Sequence, residues 1–201
     1  MTPLDAGDVA DLMVRRLPPC GPPAGDDGIL PAAVLVPLLS VVGVASLLFT
    51  RRTRTLPDHK GQVSFPGGTR EAGDRDLLAT ALRESVEEVG VDPTRVRPLG
   101  ALAPVVTWME KYRVQPFLSL WPEGSYAPAS PDEVARVFTV PLAALLPPEA
   151  LRPAAVTFGG RRLETPAFVA EGEVIWGTTR RITQDLLSRL RPVLAGAGLW
   201  P

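Results

Sequence analysis

Between residues 29 and 50 the chain reads ILPAAVLVPLLSVVGVASLLFT, without one charged side chain. A run of that length is nominally enough to cross a bilayer. Pro31, Pro37, the break at Gly43 and the many β-branched residues suit two short strands with a bend between them instead. Strands are therefore expected at 33–39 and 44–50, apolar on both faces as in a sheet covered from either side. Downstream, Asp74 as an N-cap and Gly90 as a stop predict a helix over 75–89. At about 100° per residue, Leu78, Leu82, Val86 and Val89 form one apolar stripe, with Glu84, Glu87 and Glu88 together on the opposite side. Residues 1–17 read as a short amphipathic helix, and the Pro/Gly/Asp-rich piece 18–28 as a loop. Further strands are predicted at 96–103, 113–121 and 137–140, with strand and turn over 155–169. Ile182, Leu186, Leu190 and Val193 recur at helical spacing in a last helix. Such irregular alternation gives α/β architecture, a mixed sheet between helices. The expected organisation is an N-terminal extension over 1–28 and a single domain over 29–201.

Charge and composition narrow the function classes. Lys plus Arg number 21 against 22 acidic residues, so the chain lacks the positive field of a general binder of nucleic acid polymers. Any nucleotide it handles is expected to be small. Cys20 is the sole cysteine, which excludes an intramolecular disulfide and fits a reducing cytoplasm. The first residues place acids ahead of arginines and show no basic start followed by an apolar run, so neither a secretory signal nor a membrane anchor is expected. Oligomeric state is left open, a homodimer included. Against this neutral background, residues 51–62 form a local basic loop, with Arg51, Arg52, Arg54 and Lys60 against Asp58.

The acidic helix carries the chemistry. Like charges at helical spacing repel and weaken a helix. Glu84 and Glu88 are i,i+4 neighbours and Glu84 and Glu87 are i,i+3, which brings their oxygens close enough to share a hard cation. Arg83, i,i+4 to Glu87, can steady one carboxylate, and Mg2+ or Mn2+ would neutralise the rest. A water beside such a cation becomes a nucleophile once its proton is drawn off. An acidic face is ordinarily solvated surface; here the Pro66-Gly67-Gly68 turn upstream lets backbone approach a ligand without side-chain obstruction.

Turn, helix start, "RE", "EE" and "GV" together resemble the Nudix box, G-x5-E-x7-R-E-U-x-E-E-x-G-U with U apolar. Gly68 matches the first glycine, Arg83-Glu84 the "RE", Glu87-Glu88 the "EE" and Gly90-Val91 the close. Ser85 stands at the usually apolar U. One extra residue separates Gly68 from Arg83, and Asp74 or Glu71 takes the place of the first glutamate. That extra residue is similar to the subgroup of Nudix hydrolases acting on coenzyme A, whose second signature is approximately L-L-T-x-R-S-x-x-L-x-x-H-x-G-Q-V-x-F-P-G-G. Residues 47–68, LLFTRRTRTLPDHKGQVSFPGG, match at the leucines, Thr50, Arg52, Leu56, His59, Gly61, Gln62, Val63 and FPGG. Residues 130–142 and WGTT from Trp176 also resemble that subgroup.

The resemblance implies an α/β/α sandwich and hydrolysis of the diphosphate linkage of a small-molecule substrate, coenzyme A or a derivative, to 3',5'-ADP and 4'-phosphopantetheine. Carried over by position, Glu84, Glu87 and Glu88 are metal ligands or catalytic carboxylates for Mg2+ or Mn2+, with the Gly68 carbonyl as a further ligand and Arg83 orienting them. Glu84 is the candidate base, with Glu133 and Glu110 as loop alternatives. Arg51, Arg52, Arg54, His59, Lys60 and Gln62 are candidates for substrate binding, with Arg51, Arg52, Arg54 and Lys60 expected to meet the 3'-phosphate. Two competing readings are a Nudix hydrolase of another nucleoside diphosphate derivative such as ADP-ribose, and a module that binds a nucleotide without hydrolysing it. Residues 59–68 favour coenzyme A over the first, and the three intact glutamates argue against the second.

Overall fold

The computed structural model describes residues 4–19, 28–53 and 61–199. Cys20, Arg54, His59 and Lys60 lie outside the described residues. Helix α1 (Ala6–Val14) is followed by β1 (Leu30–Val41), β2 (Val44–Arg52), β3 (Val63–Ser64), β4 (Gly67–Thr69) and α2 (Leu77–Val89). Next come β5 (Arg97–Ala101), β6 (Val105–Val106), β7 (Tyr112–Leu120), β8 (Val134–Pro141) and the short α3 (Leu142–Leu145). Strands β9 (Leu151–Phe158), β10 (Arg161–Ala170) and β11 (Glu173–Ile175) then lead into α4 (Gly177–Gly196).

The uncharged run becomes the centre of the main sheet. Strands β1 and β2 form a hairpin closed at Val41 and Val44, and the two turn residues Val42 and Gly43 both take positive φ (51° and 74°). That conformation matches the twist of the flanking strands. Alternate β1 side chains serve opposite layers. Ala33, Leu35 and Leu39 pack with Leu77, Ala81 and Val89 of α2. Ala32, Val36 and Leu38 pack with Val9 and Met13 of α1 and with Ile182, Leu186 and Leu190 of α4. Both faces of the strand are buried, which is why it carries no charge. The sheet is mixed, β1 running parallel to β7 while its other partners are antiparallel. An α/β/α sandwich results, and no helix among the described residues is long and apolar enough to cross a membrane.

The β1–β2 hairpin splays open at its far end, and residues 63–69 wedge into the fork. Strand β3 pairs with Thr50 and Arg51 of β2, and β4 pairs with residues 32–34 of β1. Phe65 between them is buried and stacks on Phe49 at 4.7 Å. The predicted Pro66-Gly67-Gly68 turn is thus mostly a short strand. A separate three-stranded sheet, in the order β11-β10-β9, follows in the chain.

Helix α2 differs from its sequence reading in which side it buries. Leu77, Ala81, Ser85, Glu88 and Val89 face inward, whereas Leu78 and Leu82 are half-buried and Val86 is exposed. The buried arc is rotated by roughly a quarter turn from the stripe of large apolar residues. Small Ala81 and Ser85 are the cause, since they let the helix axis approach the sheet closely. Ser85, at the usually apolar U, is fully buried and donates its hydroxyl to Ala81 O at 2.7 Å within its own helix. Ser85→Ala is therefore expected to cost less than about 1 kcal/mol, because no distant partner is orphaned. Ser85→Leu, nearer the usual motif, overpacks this contact and is expected to cost about 1–3 kcal/mol, measured by urea unfolding.

Candidate active site

The fork brings Gly67 and Gly68 against two glutamates of α2. Gly67, at φ 150°, lies so near Ala33 O and Val34 that a Cβ there would overlap both. A Cβ on Gly68 would overlap the Glu84 carboxylate. Gly67 is thus required by its close approach to backbone, whereas a side chain at Gly68 would displace the Glu84 carboxylate. The Gly67 N–H donates to Glu88 Oε2 at 3.4 Å, and Arg52 Nη1 stands 3.8 Å from Glu88 Oε1. Glu88 is 2% exposed. Burial pushes its carboxyl from 4.5 up to about 8, reinforced by Glu84 and Glu133 and only partly opposed by Arg52 and the Gly67 N–H. Glu84 is also raised by burial, against the pull of Arg83. Glu87, on the same helix, is exposed.

Arg83 ties the cluster together. Its Nε and Nη2 donate to Asp74 Oδ1 and Oδ2, both at 3.1 Å, and Nη2 also reaches Thr69 O at 3.1 Å. Its Nη1 donates to Glu84 Oε1 at 3.1 Å and approaches Glu87 at 3.5 Å. The buried Asp74 further accepts from Thr80 Oγ1 and the Glu71 N–H, each at 2.9 Å. The Arg83 hydrogen bond above all holds the Asp74 carboxyl well below the usual carboxylate range, and the same pairing raises Arg83. Asp74 is therefore not the helix cap predicted from sequence. Asp76 caps α2, accepting from the Ala79 N–H at 2.8 Å, which frees Asp74 to hold Arg83.

Beside the fork lies a cavity of about 320 Å³. Gln62, Ser64, Gly67 and Gly68 form one wall, with Arg52 and Trp176 also lining it. Of the predicted substrate-binding residues, Arg52 and Gln62 are thus at the cavity. Arg51, on the alternate face of β2, instead donates to Glu173 at 3.0 Å, a carboxylate it shares with Arg136 at 2.9 Å. Among the loop carboxylates, Glu133 is close enough to raise both Glu84 and Glu88, whereas Glu110 sits exposed in the turn before β7. The N-terminal residues of α4 were not predicted as a wall. Thr178 and Thr179 line the cavity, and Thr179 Oγ1 donates to Val63 O at 2.9 Å. Their signal in the sequence was the WGTT resemblance, which named no role.

The donor set fits a hard divalent cation. Glu84, Glu87, Glu88 and the Gly68 carbonyl offer only oxygen, as Mg2+ and Mn2+ prefer. The elevated carboxyl of Glu88 marks a buried acid short of positive charge. Among the described residues no three acidic, imidazole or thiol side chains already converge as a finished cage. Arg83 and Arg52 stand at the carboxylates instead.

Two outcomes follow from these partners. Asp74→Ala leaves the half-buried Arg83 without its bidentate acceptor and is expected to cost about 3 kcal/mol, lowering Tm by several degrees in a thermal melt. Glu88 holds a proton in the fold that the unfolded chain has released between pH 4.5 and about 8, so its contribution to stability falls as pH rises across that window and is flat above it. Glu88→Gln should remove that slope when Tm is followed from pH 5 to 9 without divalent ions. In the parent protein, added Mg2+ should raise Tm more at pH 9 than at pH 6, because binding must displace the proton.

Residues 30–158 match the family model of the NUDIX domain. An uncharacterized Nudix hydrolase NudL of Photorhabdus laumondii is 35% identical over 188 residues, covering 94% of this chain and 99% of that protein. The human mitochondrial coenzyme A diphosphatase NUDT8 is 42% identical over 167 residues, covering 80% of this chain and 70% of that protein. Among solved structures, a C. elegans Ap4A hydrolase binary complex is 17% identical at a TM-score of 0.49, covering 59% of this chain and 84% of that one. With the family model spanning more than half of its length and near full-length similarity to a Nudix hydrolase, the chain belongs to the NUDIX domain family.

Proposed function

We propose that this Nudix hydrolase is a metal-dependent coenzyme A diphosphatase, releasing 3',5'-ADP and 4'-phosphopantetheine. The observation that carries the reading is the placement of the coenzyme A signature. Its described end, residues 61–68, supplies one wall of the cavity, and its last two glycines abut Glu84 and Glu88. The similarity to human NUDT8 supports the same substrate.

In this reading Glu84, Glu87, Glu88 and the Gly68 carbonyl hold Mg2+ or Mn2+. Such an ion would supply charge neutralisation of the diphosphate and would lower the pKa of a nearby water. Glu84 accepts the proton of the attacking water at its carboxylate. Burial has already made that carboxylate more basic than an exposed one. The water oxygen forms a new bond to phosphorus as the bridging oxygen leaves, giving two phosphomonoesters. Arg83 fixes the Glu84 carboxylate in place through its own anchorage on Asp74. Arg52 and Gln62 meet the diphosphate from the cavity wall, and Arg54, His59 and Lys60 of the same signature extend that binding. Arg51 contributes indirectly, through the Glu173 ion pair. A small-molecule substrate is the sole partner required, and the cytoplasm suits the single cysteine.

The purified chain with Mg2+ or Mn2+ is expected to convert coenzyme A to the two named products, and in heavy-oxygen water the label on one product identifies the phosphorus attacked. Efficient cleavage of ADP-ribose with coenzyme A left intact would overturn the substrate assignment. Glu84→Gln is expected to lower kcat by about 100-fold or more, the usual contribution of a positioned base.

A further inference from the structure

The β9–β10 hairpin is an arm without a core of its own. Beyond its base most of its residues are exposed on both faces, yet it stays paired over eight registered positions. It turns through Gly159 and Gly160, both at positive φ (57° and 75°), so Phe158 and Arg161 stand directly opposite each other. Directly opposed residues share one face of a two-stranded ribbon. That face is oriented by a contact: the Phe158 ring meets Trp176 edge-on, with centroids 5.8 Å apart. Trp176 in turn lines the cavity beside Gly67 and Gly68. The face carrying Arg161 is thus the one whose Phe158 touches a residue that lines the cavity.

The other described arginines near the site each have at least one polar partner, although Nε of Arg52 and of Arg180 is buried without one. Arg52 faces Glu88, Arg83 the acids of α2, and Arg51 and Arg136 both Glu173. Arg181 donates to Val106 O and Arg180 to Gln184. Arg161 is exposed and has no hydrogen bond or ion pair among the described residues. An exposed guanidinium with all its donors open, paired across the ribbon with a phenylalanine that touches a cavity-lining tryptophan, suits a phosphomonoester, which it can grip through two parallel hydrogen bonds. Coenzyme A carries such a group on its ribose, away from the diphosphate that is cleaved.

Resting on the substrate reading above, we infer that Arg161, positioned by the Phe158–Trp176 contact, binds the ribose 3'-phosphate and makes the hairpin tip the element that selects 3'-phosphorylated substrates. Arg162, on the opposite face of the ribbon, takes no part. This places phosphate recognition on a segment far along the chain from the coenzyme A signature.

The test compares coenzyme A with its 3'-dephospho form on the parent protein, Arg161→Ala, Arg161→Lys and Arg162→Ala. The parent should prefer coenzyme A. Arg161→Ala should lower kcat/KM for coenzyme A by about tenfold or more, the effect of losing a bidentate charged contact at an exposed position, through KM and not kcat. It should leave the dephospho substrate within about twofold and unfold at the parent's Tm, since the side chain is exposed. Arg161→Lys should recover part of the preference, and Arg162→Ala all of it. Equal losses on both substrates, no loss on either, or a parent that does not distinguish them would each overturn the inference while leaving the diphosphatase reading intact. A parent that cleaves neither overturns the diphosphatase reading and this inference with it.

Discussion

The site depends on the close approach of one short strand to one helix. Gly67 presses against the β1 backbone at Ala33 and Val34 because it has no Cβ, its N–H donates to Glu88, and the space beside Gly68 is taken by the Glu84 carboxylate. A side chain at Gly67 would strike the β1 backbone, and one at Gly68 would displace the Glu84 carboxylate. The consequence is electrostatic as well as steric, since a carboxylate drawn under the strand loses water and gains only one backbone N–H and a distant guanidinium. A buried acid of this kind destabilises the fold as pH rises toward its raised pKa, and the same deficit of positive charge fits the cation proposed for the site. Function and marginal local stability come from one contact.

Around that contact the other charges are arranged by rank of burial. Asp74 is buried but fully compensated, receiving Arg83 in bidentate fashion together with a hydroxyl and a backbone N–H. Arg83 spends two of its nitrogens on that anchor and turns the third to Glu84 and Glu87. One acid is thereby held anionic so that a guanidinium can be fixed, and the guanidinium in turn contacts the carboxylates of Glu84 and Glu87. The shorter aspartate serves this role because its carboxylate needs only to reach Arg83, not a ligand in the cavity.

The layers of the sandwich were readable in advance because they follow from local pattern. The uncharged stretch 29–50 gave a buried hairpin, with the bend at Gly43 where it was expected. The spacing around Arg83-Glu84 and Glu87-Glu88 pointed to the helix that carries the acids. The assignment of its buried side failed because side-chain size competes with hydrophobicity. Large Leu78 and Leu82 dominate the periodic pattern, but small Ala81 and Ser85 permit the nearest approach to the sheet. The N-cap was misplaced for a related reason, since Asp74 and Asp76 are equivalent in sequence and only the partners of Arg83 tell them apart.

By itself, then, the sequence determined most of the segments that become strands and helices and the motif residues proposed to carry the chemistry. Periodicity, glycine placement and motif spacing are properties of neighbours in the chain. Tertiary structure alone decided that Glu88 is buried while Glu87 is not, that Arg51 turns to Glu173 while Arg52 faces the cavity, and that the tip of a distant hairpin rests on Trp176. Each of these is a contact between residues far apart in the chain. Burial and charge compensation are set by such contacts, and no local pattern encodes them.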